Sequence, residues 1–323
     1  MERTATRFRA MVKVVMADGD TYMCQGLRNA LTNEGYRDVR TVSRLTALRD
    51  VLVAAMADLL VLDVDLADGD AIALVREIRQ GKAGRNPFLP IILLTWTTDP
   101  EVVQRAVGSG VDLILVKPLS PAQLFSRIDG LVADRKPFVV TADYIGPDRR
   151  DGEKSGDIQH YDVPNTLKDK IEGRPIDPAA LSDQIDAALQ EMNVSRLAQA
   201  GVKLAGMVDG ICRAFEAGRL SDETGVELAQ VAYMAKSIAG LGGADLGKLC
   251  KPLIKIVRSM HNDPDAIDAK QIELLRPLSH SIMLAANPKL ALHPMMDEIT
   301  RAVSTFVPKK RSEADENSKP VTV

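Results

Sequence analysis

The stretch Leu59-Leu60-Val61-Leu62-Asp63-Val64-Asp65-Leu66-Ala67-Asp68-Gly69-Asp70 runs a fully apolar segment straight into an acidic turn. Consecutive aliphatics ending in a carboxylate read as a strand buried on both faces, whose last residue emerges at the sheet edge. Three other runs end in the same manner. Val14-Val15-Met16-Ala17 leads into Asp18, Ile91-Ile92-Leu93-Leu94 into Thr95, and Leu113 to Val116 into Lys117-Pro118. Parallel strands ending together would bring two acids, a hydroxyl and an ammonium to one edge of one sheet.

Working outward, short β-type runs near 12–17, 38–42, 58–62, 90–94 and 112–116 alternate with helical patterns near 20–34, 45–56, 70–80, 99–108 and 120–132. That alternation predicts βαβ units feeding a parallel sheet. The expected fold class is α/β, a doubly wound five-stranded parallel sheet of flavodoxin-like order 2-1-3-4-5, over residues 10–134, followed by an all-α bundle. In such a sheet ligands bind where the strand order reverses, between the first and third strands, and those strands end in Asp18 and Asp63. Two adjacent carboxylates repel, so a hard dication such as Mg2+ is the natural occupant. A carboxylate beside such an ion can act as a nucleophile toward a phosphoryl group.

At 323 residues the chain is long for one domain. With 46% hydrophobic and 26% charged residues it is ordinary for a globular protein. A net charge of -3 argues against wrapping nucleic acid. Cys24, Cys212 and Cys250 are odd in number and lack metal-ligand spacing, which fits reduced thiols and a cytoplasmic location. No apolar run suits a signal peptide or a membrane span.

Residues 135–176, rich in Pro, Gly and charge, read as a linker with no regular element, although Phe138-Val139-Val140 and Tyr144-Ile145 suit contact with a domain surface. Helical stripes such as Leu181, Ile185, Leu189, Met192 open a helical bundle expected over 177–307, and the polar segment 308–323 reads as a disordered tail.

The strand-end residues resemble the receiver domain of bacterial two-component response regulators, in a resemblance that covers Val12 to Leu131. It rests on Asp18, on Asp63 in its acidic turn, on Thr95 and on Lys117-Pro118. It implies that Asp63 accepts a phosphoryl group from a histidine kinase or a histidine phosphotransfer protein. Asp18, Asp63 and the backbone carbonyl of Asp65 would bind Mg2+, while Thr95 and Lys117 engage the phosphate and switch the surface. The chain departs from the pattern in three places. Asp18 is followed by Gly19, with Asp20 one position further as an additional acid; Trp96 stands where a small residue is usual; Ile114 replaces an aromatic. These departures keep open a receiver-like adaptor that is not phosphorylated.

The helical half shows no helix-turn-helix with a basic recognition helix, and residues 177–301 hold 16 Asp/Glu against 13 Lys/Arg, so no nucleic-acid or membrane partner is expected. Ala239 to Cys250, rich in glycine, resembles the hairpin of histidine phosphotransfer bundles, with Ala232 and Tyr233 where the histidine would lie. His261, His280 and His293 have no acidic or cysteine partner at ligand spacing. The expectation is a non-enzymatic response regulator whose helical domain acts through protein contacts with an unknown target or a second copy of the chain. The alternative is a helical output with phosphatase or phosphotransferase activity.

Overall fold

The computed structural model describes residues 7–150, 159–219, 222–263 and 267–287. Five parallel strands, β1 (Lys13–Ala17), β2 (Asp38–Val42), β3 (Leu59–Asp63), β4 (Ile91–Thr95) and β5 (Leu113–Val116), form one sheet in the order β2-β1-β3-β4-β5. They alternate with α1 (Thr21–Asn33), α2 (Leu45–Ala54), α3 (Ala71–Arg79), α4 (Pro100–Val107) and α5 (Pro121–Ala133). This is the expected fold class.

The period of two along each strand divides the apolar runs between two cores. Val15, Leu60, Leu62, Ile91 and Leu93 pack with Leu48 and Leu52 of α2 and with Ile72, Val75 and Ile78 of α3. Val14, Met16, Leu59, Val61, Ile92 and Leu94 face the other way, onto Leu27 and Leu31 of α1 and Leu124, Ile128 and Leu131 of α5. Helix starts are written into the sequence. Pro121 occupies the first turn of α5 behind a capping box of Ser120 and Gln123, and Asp99 caps α4 ahead of Pro100.

The segment read as a linker holds regular structure. β6 (Phe138–Val140) and β7 (Ile145–Pro147) form an antiparallel hairpin, and α6 (Thr166–Ile171) follows. The expectation weighed Pro and Gly locally; the apolar triplet at 138–140 wins because it has a core to enter. Phe138, Val140 and Ile145 pack with Phe88, Tyr161, Leu181, Ile185 and Met192, and the Phe88 and Phe138 rings meet edge-on at 5.9 Å.

Beneath that cluster lies a buried charge network. Arg79 donates to the carbonyls of Gly110, Pro87 and Leu89 and to Asp112 Oδ2 at 2.8 Å. Asp112 also accepts from Arg135 Nε at 2.7 Å and from the Ile91 amide at 2.8 Å. Both guanidinium groups lie over the Phe138 ring, at 5.2 Å for Arg79 and 5.0 Å for Arg135.

The chain divides into two compact units at Arg196 and Leu197, within the 39-residue helix α7 (Pro178–Glu216). In the second unit α7 is joined by α8 (Asp222–Leu241), α9 (Gly243–Asn262) and α10 (Ala269–Ala286). Leu204, Val208 and Ile211 are buried there, as are Val231, Ala235 and Ile238 of α8, Leu253 and Val257 of α9, and Leu275 and Ile282 of α10. Gly243, at φ +74°, makes the tight turn between α8 and α9. The fold also gives His280 an acidic neighbour that sequence spacing did not reveal: its Nε2 lies 3.4 Å from Asp209 Oδ2 of α7. The stretch 288–307 and the tail 308–323 lie outside the described residues. Among the described residues, no helix is long and apolar enough to cross a membrane.

Candidate functional site

Strand register assembles the site. Ala17 pairs with Leu62, Asp63 with Leu94, and Thr95 with Val116, so Asp18, Asp63, Thr95 and Lys117 leave four adjacent strands at one level. Backbone bonds hold the strand ends: the Asp18 amide donates to the Val42 carbonyl at 3.1 Å, and the Lys117 amide to that of Thr95 at 2.7 Å. The Lys117-Pro118 peptide is cis.

At the centre, Lys117 Nζ lies 2.7 Å from Asp18 Oδ2 and 3.0 Å from Asp63 Oδ2, with the lysine side chain wholly buried. One ammonium thus faces two carboxylates, which leaves a net negative charge in a low-dielectric setting. Burial pushes the Asp63 carboxyl above its ordinary range; its hydrogen bond from Lys117 opposes this and the charge of Asp18 adds to it. For Lys117, burial acts to lower the ammonium, yet its bonds to Asp18 and Asp63 outweigh burial and raise it. Asp63 Oδ1 is buried with no hydrogen-bond partner.

The remaining predicted residues divide by task. Asp20 is the N-cap of α1, its Oδ1 accepting from the amides of Tyr22 and Met23, while its own amide donates to Asp18 Oδ1 at 2.8 Å. The additional acid therefore orients Asp18 and starts a helix. Thr95 is buried, but its Oγ1 accepts from the Thr97 amide at 3.1 Å and donates to the Thr97 carbonyl at 3.3 Å. Asp65 is exposed on the loop after β3. Trp96 is 55% exposed, and its ring centroid lies 5.5 Å from Lys117 Nζ. Ile114 packs at the edge of the sheet core.

Sequence reasoning missed what the other acids do. Asp68 accepts from the amides of Leu45 and Thr46, capping α2 from a distant loop, because Arg44 at its N-cap offers no side-chain acceptor. Asp70 caps α3 and pairs with Arg105 at 2.7 Å. Cys24 lies beneath the site, with its Sγ donating to the Asp18 carbonyl at 3.8 Å; burial, with Asp18 next, pushes its thiol up to about 11.

Among the described residues, no group of three or more His, Cys, Asp or Glu side chains is placed to hold a metal. The donor set here is smaller: two neighbouring carboxylates, one with an unpartnered buried oxygen. It fits a hard dication that takes oxygen ligands and keeps several waters.

The family model of the response regulator receiver domain matches residues 14–129. The transcriptional regulatory protein GltR of Pseudomonas aeruginosa is 36% identical over 121 residues, 37% of this chain and 48% of that protein. The KDP operon transcriptional regulatory protein KdpE of Escherichia coli is 31% identical over 134 residues, 41% of this chain and 55% of the relative. The chain spans about half the length of these relatives. A two-component response regulator from Clostridium difficile, seen in a crystal structure, is 26% identical with a TM-score of 0.34, over 38% of this chain and 96% of its own.

Proposed function

We propose, from the premise that residues 14–129 are a response regulator receiver domain, that Asp63 is its phosphoacceptor. The donor would be a phosphohistidine of a histidine kinase or of a phosphotransfer protein. The observation that carries this reading is the buried Asp63 Oδ1, unpartnered beside Asp18 and Lys117. A carboxylate anchored by an ammonium through one oxygen keeps the lone pairs of the other for a phosphoryl group or a metal.

In the step, an Asp63 oxygen forms a bond to phosphorus while the bond from phosphorus to the donor imidazole nitrogen breaks. The imidazole takes up a proton as it leaves, and Asp63 becomes an acyl phosphate. Asp18, Asp63 and the Asp65 carbonyl would hold Mg2+, which supplies positive charge against the phosphoryl oxygens. Lys117, already buried at the carboxylates, moves its ammonium onto a phosphoryl oxygen. Thr95 exchanges its bonds to Thr97 for one to the phosphate, and the loop from Trp96 to Asp99 follows it. That two-state change, biased by phosphate contacts, is the switch.

The helical unit is read as an output that works through protein contacts. The relatives whose names call them transcriptional match about two fifths of this chain, and the slight acidic excess of residues 177–301 speaks against a DNA-binding surface here. The test is incubation with acetyl phosphate and Mg2+ followed by intact-mass measurement. The expected result is one phosphoryl group on the wild type and none on Asp63→Asn. No gain on the wild type, even with its proper donor, would favour a receiver-like adaptor instead.

A further inference from the structure

A cavity rimmed by charged side chains lies at the opposite end of β5, where Asp112 and Leu113 enter the strand rather than where Lys117 leaves it. It is a half-open cleft of about 510 Å³ between α5 and the end of the β6–β7 hairpin, within the size range of small-molecule sites. Its charged lining is Arg127, Arg135, Lys136 and Arg149 against Asp112 and Asp134. Four cations face two acids, an excess of two positive charges.

The acids do not neutralise that excess. Asp112 is shared between Arg135 and a further cation outside the lining, Arg79, and also accepts from the Ile91 amide. Arg127 and Lys136 are exposed and carry no ion pair among the described residues. The Arg135 side chain is only 5% exposed, and its Nη2 is buried without an acceptor, although Nε and Nη1 are engaged by Asp112 and the Phe88 carbonyl. Those two bonds fix the Arg135 guanidinium, so its positive charge is held beside the cavity. Arg149 is held in place by the Val111 carbonyl, so this cation is positioned before any ligand arrives. Leu113, Leu131 and Pro147 give the cavity an apolar wall.

We infer that this cavity binds a phosphomonoester. Such a group carries about -1.5 to -2 charge at neutral pH, which matches the local excess. Its oxygens suit the forked donors of arginine, and an organic body would cover the leucine and proline wall. The site is separate from the Asp63 pocket and does not depend on phosphorylation there.

The test is calorimetric titration of the full chain with AMP in chelator at low ionic strength, with adenosine as a control. Saturable one-to-one binding is expected for the wild type and equally for Asp63→Asn. The double variant Arg127→Gln/Lys136→Gln, altered only at exposed side chains, should weaken binding roughly tenfold or more, the scale of losing a charge-assisted hydrogen bond. Three results overturn the inference: no saturable binding, equal binding by the double variant or by adenosine, or loss of binding in Asp63→Asn.

Discussion

The Trp96 ring stands with its centroid 5.5 Å from the Lys117 ammonium, half in solvent above a lysine that is itself fully buried. The indole therefore roofs the ion that holds both carboxylates. Such a cation–π contact contributes about 0.5–1 kcal/mol, and removing the ring uncovers the Lys117 side of the site. Trp96→Ala is expected to gain phosphoryl groups from acetyl phosphate several-fold faster and to lose them several-fold faster on dilution, measured by intact mass over time. Unchanged rates in both directions would show that the ring does not gate the pocket. Trp96 is also the chain's one tryptophan, so its emission is expected to change on adding Mg2+ if the surroundings of Lys117 rearrange.

The raised Asp63 carboxyl makes a prediction about pH. Burial is its main cause, opposed by Lys117 and supported by Asp18. A carboxyl whose native pKa exceeds its unfolded value keeps its proton longer in the native state. Between the two values the unfolded chain binds fewer protons, so stability falls as pH rises through that window. Asp63→Asn removes this penalty and should be the more stable protein in urea at pH 7. The advantage should close below about pH 4, where the unfolded carboxyl is protonated too. A less stable Asp63→Asn at pH 7 would contradict the burial argument.

Metal linkage separates the same two proteins. A ligand that binds only the native state adds about 2.7 kcal/mol at a hundredfold excess over its Kd. Mg2+ should therefore raise the urea midpoint of the wild type, and chelation should reverse it. Asp63→Asn, which has lost one carboxylate, should respond far less. Equal responses would place the metal elsewhere.

What was legible beforehand follows from where the information lies. Apolar runs ending in Asp18, Asp63, Thr95 and Lys117 declare both the sheet and its functional edge, because strand period and strand ends are local properties of the chain. The apolar residues Phe138 to Val140 and Ile145 announce contact with a surface, but their pairing as a hairpin is not legible, since the cluster they enter is built with Phe88 and Ile185, which are far away in sequence. The roles of Asp20 and Asp68 were equally hidden. An acid in an acidic turn looks like a ligand until the distance to the helix start it caps is known. Asp112 offered one usable hint, an acid placed immediately before the apolar β5, but its partners Arg79 and Arg135 are 33 and 23 residues distant.

That network predicts a large stability effect. Arg79 and Asp112 are joined at 2.8 Å with side chains 1% and 2% exposed. Burial lowers the Arg79 guanidinium to about 10, with Asp112 acting the other way, so the ion remains charged at neutral pH. Arg79→Met leaves Asp112 with one cation fewer and three backbone carbonyls without their donor. Removing one partner of a buried pair costs about 3–5 kcal/mol, and a urea unfolding curve should show a loss on this scale. Hydrogen exchange should locate the opening at 138–147, which rests on Arg79 through the Phe138 ring. A loss below 1 kcal/mol, or protection unchanged in the hairpin, would show that the network does not anchor it.

Two glycines give opposite signs for the same substitution. Gly110 has φ +90°, and a Cβ there would run into the Ile145 carbonyl oxygen of the hairpin. Gly110→Ala is thus strained in its backbone and displaces β7, and a cost of about 2 kcal/mol or more is expected from the two mechanisms together. Gly130 lies inside α5, where an added Cβ meets nothing within 4 Å. Gly130→Ala should instead stabilise by about 0.5–1 kcal/mol, the difference in helix propensity. Thermal melts of both variants against the wild type decide the matter. If Gly110→Ala melts with the wild type, the hairpin is not packed against the β5 entrance as described; if Gly130→Ala melts lower, residue 130 meets a neighbour that this helix face does not show.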